Sequence, residues 1–159
     1  MDAKDLIDEA AALGWSVYED PGFINHAGPF FYQVCDEGMR FRFQAFERHK
    51  NRNGMVQGGA LMTFVDRALG ATARHMTGAP ATVTVTLNQQ FIDGVKGGEI
   101  IETQPTMIRA TKQLVFMSGE FKVGSRVVCV ANGIWKKIVT PPALLDAGSA
   151  DAERDSSGS

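Results

Sequence analysis

The residue types suited to chemistry lie in one stretch, Asn51-Arg52-Asn53-Gly54-Met55-Val56-Gln57-Gly58-Gly59, and in the run from there to Asp66. Two glycines ahead of a helix let another group approach the backbone closely. The first amides of that helix have no internal acceptor, and the helix dipole adds partial positive charge at the same end. Gly58-Gly59 therefore predicts a place for an anion or a developing oxyanion, although two glycines alone are more often a plain loop-to-helix corner. Asp66 adds weight. Aspartate is a poor helix former, yet this one stands among Phe64, Val65, Ala68 and Leu69. Burying an ionisable group without a role is costly, so Asp66 reads as a reactive carboxylate or as one paired with Arg67 or a neighbouring strand.

Spacing restricts how these groups can cooperate. Gly58 and Asp66 are eight residues apart on one helix, which at about 1.5 Å per residue is ~12 Å along the axis and about 80° around it. One reacting carbon cannot lie within about 3 Å of both the Gly58 amide and a water held by Asp66. If both take part, they come from different chains, and a two-fold dimer with antiparallel helices brings Gly58 of one opposite Asp66 of the other.

The elements that must position these residues are legible from periodicity. Residues 2–13 read as a short helix with Leu6, Ile7, Ala10 and Leu13 on one face, and residues 15–28 as irregular. Phe30 to Cys35 reads as a strand, Asp36-Glu37-Gly38 as a turn, and the alternation of Met39, Phe41, Phe43 and Ala45 as a second strand. Ala60 to Met76 contains no Pro and is apolar on nearly every face, which predicts a buried helix. Thr82, Thr84, Thr86 and Asn88 then alternate with Val83, Val85 and Leu87, and Glu99 to Ala110, Lys112 to Val123 and Arg126 to Val139 follow as three more strands. Gly124-Ser125 suits a tight hairpin turn, and Gly119 suggests a bulge. The Pro-, Ala-, Asp- and Ser-rich residues 141–159 read as a disordered tail behind a single domain, 1–140. One antiparallel sheet and one helix for it to wrap is an α+β plan, and its open edges predict oligomers.

The stretch from about Gly28 to Ile138 resembles the hotdog thioesterases, specifically the phenylacetate-pathway type. That family shows Asn-Pro-x-Gly-x-x-His-Gly-Gly, then a helix with an Asp, then a strand with a Ser or Thr. Asn51, Gly54, Gly58 and Gly59 match, Asp66 stands at the catalytic Asp, and Thr84 stands at the hydroxyl position. Arg52 replaces the Pro and Gln57 replaces the His. A Gln amide donates hydrogen bonds but does not titrate near neutrality, so it keeps a hydrogen-bonding role and loses an acid–base one. The resemblance implies a hotdog fold and hydrolysis of an acyl-CoA. The carbonyl oxygen is then held by the Gly58 amide with help from Gln57 and Asn51. Asp66 of the partner acts as general base or nucleophile, and Thr84 orients the water or Asp66. Gly59, Met62 and Lys112 are the substrate-binding candidates, with Lys96 and Lys112 as cations for the CoA phosphates. Coenzyme A enters as part of the substrate, so no cofactor and no metal are expected. The resemblance further implies a homodimer whose sites lie at the interface, commonly a dimer of dimers. A non-catalytic acyl-CoA-binding module, favoured by Gln57, and a dehydratase, which needs the missing His, are the alternatives.

Composition sets outer limits. The 159 residues suffice for one domain with a real core. A net charge of −2 gives no electrostatic case for nucleic acid. No apolar run approaches the ~18 residues of a membrane span, and the charged start Met1-Asp2-Ala3-Lys4-Asp5 does not resemble a signal peptide, so a cytoplasmic protein is the expectation. Cys35 and Cys129 read as buried thiols rather than a disulfide framework. His26, His49 and His75 have no metal-ligand spacing and read as surface or loop residues. Gly-x-Ser-x-Gly and phosphate-loop motifs are absent from the sequence.

Overall fold

The computed structural model describes residues 3–139; the expected disordered tail over 141–159 lies outside the described residues. The chain order is α1 (Ala3–Ala12), β1 (Ser16–Val17), α2 (Phe23–Ala27), β2 (Phe30–Cys35), β3 (Gly38–Gln44), α3 (Gly58–Thr77), β4 (Ala81–Phe91), β5 (Ile100–Thr103), β6 (Thr106–Ala110), β7 (Leu114–Val123) and β8 (Arg126–Ile138). All pairings are antiparallel, in the order β1-β2-β3-β5-β7-β8-β4, with β6 also pairing β7. The sheet wraps α3, which is the hotdog arrangement, an α+β fold.

The alternating strands turn one row inward. Phe41 and Phe43 on β3, Val115, Met117 and Phe121 on β7, and Trp135 on β8 close over Phe64, Val65, Ala68 and Leu69 of α3, all at 1% exposure or less. Burying each large side chain stabilises the fold by about 1.5–3 kcal/mol. The aromatic rings interlock at the centre, with Phe64 to Phe43 at 5.4 Å and to Phe121 at 5.7 Å. A smaller cluster of Leu6, Ala10, Trp15 and Phe31 packs α1 separately.

Several expectations are corrected. α3 is not buried all round: Met62, Arg74, His75 and Met76 are exposed and Asp66 is half-buried, so one stripe of the helix faces outward. Glu99 to Ala110 is not one strand, because Gln104-Pro105 divides β5 from β6 and Pro has no amide to give a ladder. Residues 15–28 are not wholly irregular, since they hold β1 and α2. Gly119 marks no bulge; β7 stays in register with β8 there, slipping between Phe121 and Lys122. A Cβ at 119 would sit 3.3 Å from the Leu69 side chain, so the glycine admits the helix instead. Among the described residues no helix is long and apolar enough to cross a membrane.

Candidate active site

β4 runs antiparallel beside α3, and the two touch along their length. The Thr82 hydroxyl donates to the Gly70 carbonyl at 3.1 Å. The Thr84 hydroxyl donates to Asp66 Oδ1 at 2.7 Å. Farther along, a Cβ at Gly58 would meet the Phe91 ring at 3.2 Å. A bulge makes this possible. Register with β8 slips between Thr84 and Thr86, leaving Val85 unpaired, so strict alternation fails there. Before the slip the threonines face the helix; beyond it Leu87, Gln89 and Phe91 share that face. Asp66 is thus paired with a strand hydroxyl and not with Arg67, whose guanidinium goes to Asp20 at 2.8 Å. One Asp66 oxygen accepts from Thr84, and the other is left for a water or an electrophile.

At the other end of the cluster, α3 begins at Gly58, with Ala60 and Leu61 donating back to the Gln57 carbonyl at 3.0 and 3.2 Å. The Gly58 and Gly59 amides precede the first helical acceptor and are available to a ligand. Gln57 is exposed, with its own amide donating to the His49 carbonyl at 2.7 Å. Asn51 is occupied in shaping its loop: its side-chain oxygen accepts from the amides of Asn53 at 2.9 Å and Met55 at 3.3 Å. Its side-chain NH2 is the part that remains for a substrate.

His49 departs from the surface reading, because it is 6% exposed. Its Nδ1 accepts from the Phe46 amide at 2.9 Å, which leaves Nε2 to carry the proton and donate to the Ala27 carbonyl at 2.8 Å. Burial is the main cause that pulls its pKa below the ordinary histidine value, with Arg48 adding to it. Three segments therefore meet at His49: the 46–50 turn and the end of α2 through its ring, and the Gln57 loop through its backbone carbonyl. Its spacing to Asn51 was visible in the sequence, but its burial was not.

Two separate clefts flank the helix. One, of about 530 Å³, is lined by Asp66, Met62, Thr63, Leu87, Arg67 and the segment Asp20 to Ile24. The other, of about 420 Å³, is lined by Gly58, Leu61 and the turn from Phe91 to Val95. Asp66 and Gly58 of one chain are thus in different clefts. Gly59 is open to solvent, and Met62 is 41% exposed. Lys112 lies in the β6–β7 turn, where Thr111 caps Leu114, at the end of the sheet remote from Phe91 and Gly58. Lys96 lies near the motif loop, bridged to Met55. The wall from Pro21 to Ile24 was missed in the sequence, where Pro21 and Gly22 read only as loop.

No cluster of His, Cys, Asp or Glu suited to a metal ion occurs among the described residues. Both cysteines are free, and burial pushes the Cys129 thiol up to about 11, so it is not a nucleophile.

The fold, one antiparallel sheet wrapped around a long central helix, is that of the hotdog proteins. The Thioesterase superfamily model matches residues 53–130, the span that holds most of the motif loop, α3 and β4, and this part of the chain is similar to that superfamily. A Pseudomonas aeruginosa protein provisionally named an esterase is 28% identical over 121 residues, 75% of this chain and 90% of that one. Among solved structures, a hypothetical thioesterase of Streptococcus pneumoniae in complex with coenzyme A superposes with a TM-score of 0.63 at 14% identity, covering 77% of this chain and 94% of the other. The phenylacetic acid degradation protein of Thermus thermophilus gives a TM-score of 0.66 at 14% identity, over 75% and 100% respectively. At such identities these two similarities concern the fold.

Proposed function

We propose that this chain is an acyl-CoA thioesterase, releasing a carboxylic acid and free CoA, of the phenylacetate-pathway type. The hydrogen bond from Thr84 to Asp66 carries the reading, because it holds a helix carboxylate in one orientation at the edge of a cleft. A pure binding module has no need of such a carboxylate. In the reaction, the Gly58 amide holds the carbonyl oxygen, with Gln57 and the free Asn51 NH2 as further donors. Asp66 takes a proton from a water that attacks the carbonyl carbon. Alternatively, it attacks directly to give a mixed anhydride, which water then opens. In both courses the C–S bond breaks, and the CoA sulfur leaves as a thiolate that takes up a proton.

The site is built from two subunits in this proposal. The separation of Gly58 and Asp66 into different clefts supports that, as does ~12 Å of helix between them. β4 is an edge strand with Val83, Val85 and Phe91 exposed, and Ile92 just beyond it is exposed too, a surface suited to a second copy. A homodimer, assembled further into a dimer of dimers, follows in the proposal, as does a cytoplasmic setting. The test is thiol release over an acyl-CoA panel by the purified protein. Turnover of at least one thioester is expected, and none would overturn the assignment.

A further inference from the structure

Resting on that reading, we propose that the segment Pro21–Ile24 is the acyl-selecting wall of the Asp66 cleft and admits apolar, uncharged acyl groups. Pro21, Phe23 and Ile24 line the cleft beside Asp66, together with Met62 and Leu87. Phe23 is 68% exposed and Met62 41% exposed, so two large apolar side chains of the lining stand unburied in the cleft that holds the carboxylate. A thioester whose carbonyl carbon is at Asp66 places its acyl group between them, where the apolar area it removes from water favours binding.

Charge excludes the other class of acyl group. Besides Asp66, the charged lining groups are Asp20 and Arg67, and these neutralise each other at 2.8 Å. Arg67 is held further by the Tyr18 ring, 5.3 Å from its guanidinium. Among the described residues of this chain, no unpaired cation lines the cleft to receive a second carboxylate, and Asp66 itself repels one. A dicarboxylic acyl group is therefore rejected, while a short hydrocarbon chain or a plain ring is accepted.

The wall is mounted rather than loose. The Asp20 amide donates to the Asn25 side chain at 2.8 Å, the Asp20 carboxylate is tied to α3 through Arg67, and the Ala27 carbonyl accepts from His49 at 2.8 Å. Arg48 also donates to the Gly28 carbonyl. Arg67 adjoins Asp66 in sequence, so the tie at the start of the wall sets its distance from the carboxylate. His49 fastens the other end through its ring, and its backbone carbonyl receives the Gln57 amide.

The experiment compares kcat/KM for hexanoyl-, acetyl- and succinyl-CoA in the full chain and in two variants. Phe23→Ala should lower the hexanoyl-to-acetyl ratio by about tenfold, the scale on which a hydrophobic pocket discriminates. Asp20→Asn leaves Arg67 uncompensated and should raise the succinyl-to-hexanoyl ratio by about tenfold. Phe23 is exposed, so its loss leaves the fold intact, and a melting curve checks this for both variants. Unchanged ratios in a parent enzyme that turns over would overturn the wall and leave the thioesterase assignment standing. A change of assembly mass in Phe23→Ala without a change of ratio would assign the surface to a subunit contact and also overturn it. If the parent releases no thiol, the thioesterase assignment fails and calorimetry decides the wall. Hexanoyl-CoA should then bind about tenfold more tightly than succinyl-CoA, with Phe23→Ala removing the difference; equal affinities would overturn it.

Discussion

The Thr84 hydroxyl and Asp66 carboxylate are joined by a 2.7 Å hydrogen bond across the gap between β4 and α3. The bond couples a bulged edge strand to the middle of the central helix and fixes which Asp66 oxygen is free. If Asp66 is the base or nucleophile, Asp66→Asn keeps the shape and removes the charge. Thiol release is expected to fall by at least ~10², the usual loss when positioned acid–base catalysis goes. An unaltered melting curve should accompany the loss, and near-normal turnover would remove Asp66 from the reaction.

Thr84→Val removes the donor at nearly constant volume. Its bond is to a charged group, so a loss of about tenfold in kcat is expected with KM little changed, and Thr84→Ser should recover most of it. Equal rates in Val and Ser variants would leave Thr84 an ordinary strand residue.

Gln57 is exposed at the helix entrance and can only donate or accept hydrogen bonds. Gln57→Ala should lower the rate, whereas Gln57→His, which puts in the residue of the motif that this loop resembles, should be tolerated or raise it. If both match the parent, Gln57 lies outside the reacting centre.

Mixed subunits test the composite site. Gly58 is the first helical residue, and Gln57 has φ −62° and ψ 134°, a conformation that the residue before a proline favours. Gly58→Pro should therefore fold, displacing only the exposed Phe91 ring, while deleting the amide donor. Homomers of Gly58→Pro and of Asp66→Asn should both be inactive, and verified heterodimers should regain one intact site of their two. Heterodimers without activity would place each site within one chain.

His49 makes a prediction about pH. Its pKa is lowered in the folded state, so the unfolded chain binds the extra proton over the window just below 6.5. The stability from neutral His49 is fully present above 6.5 and is lost as pH falls through the lowered value. Protonation there also removes the acceptor for the Phe46 amide. Melting temperatures should drop on going from pH 7 to 5, and His49→Gln should flatten that slope while lowering stability at pH 7. Parallel curves for the two proteins would exclude His49 as the cause.

The sequence by itself determined the helix, the alternating strands and the types of residue that meet at the site. Period 2 in Met39 to Ala45 and the apolar run after Gly58 each admit one regular structure, and the motif spacing put Asp66 in mid-helix ahead of Thr84. Local patterns end there. Whether Asp66 pairs with Arg67 or with a strand hydroxyl depends on the bulge at Val85, which comes from how β4 fits along β8. Which stripe of α3 stays exposed depends on how far the sheet curls, and a helix apolar on most faces does not encode that. The burial of His49 and the placing of Phe23 in the cleft of Asp66 arise from contacts between segments distant in the chain, here Ala27 with His49 and Asp20 with Arg67. Only the tertiary structure decided them, because periodicity reports which side of one element is apolar and not what another element brings to it.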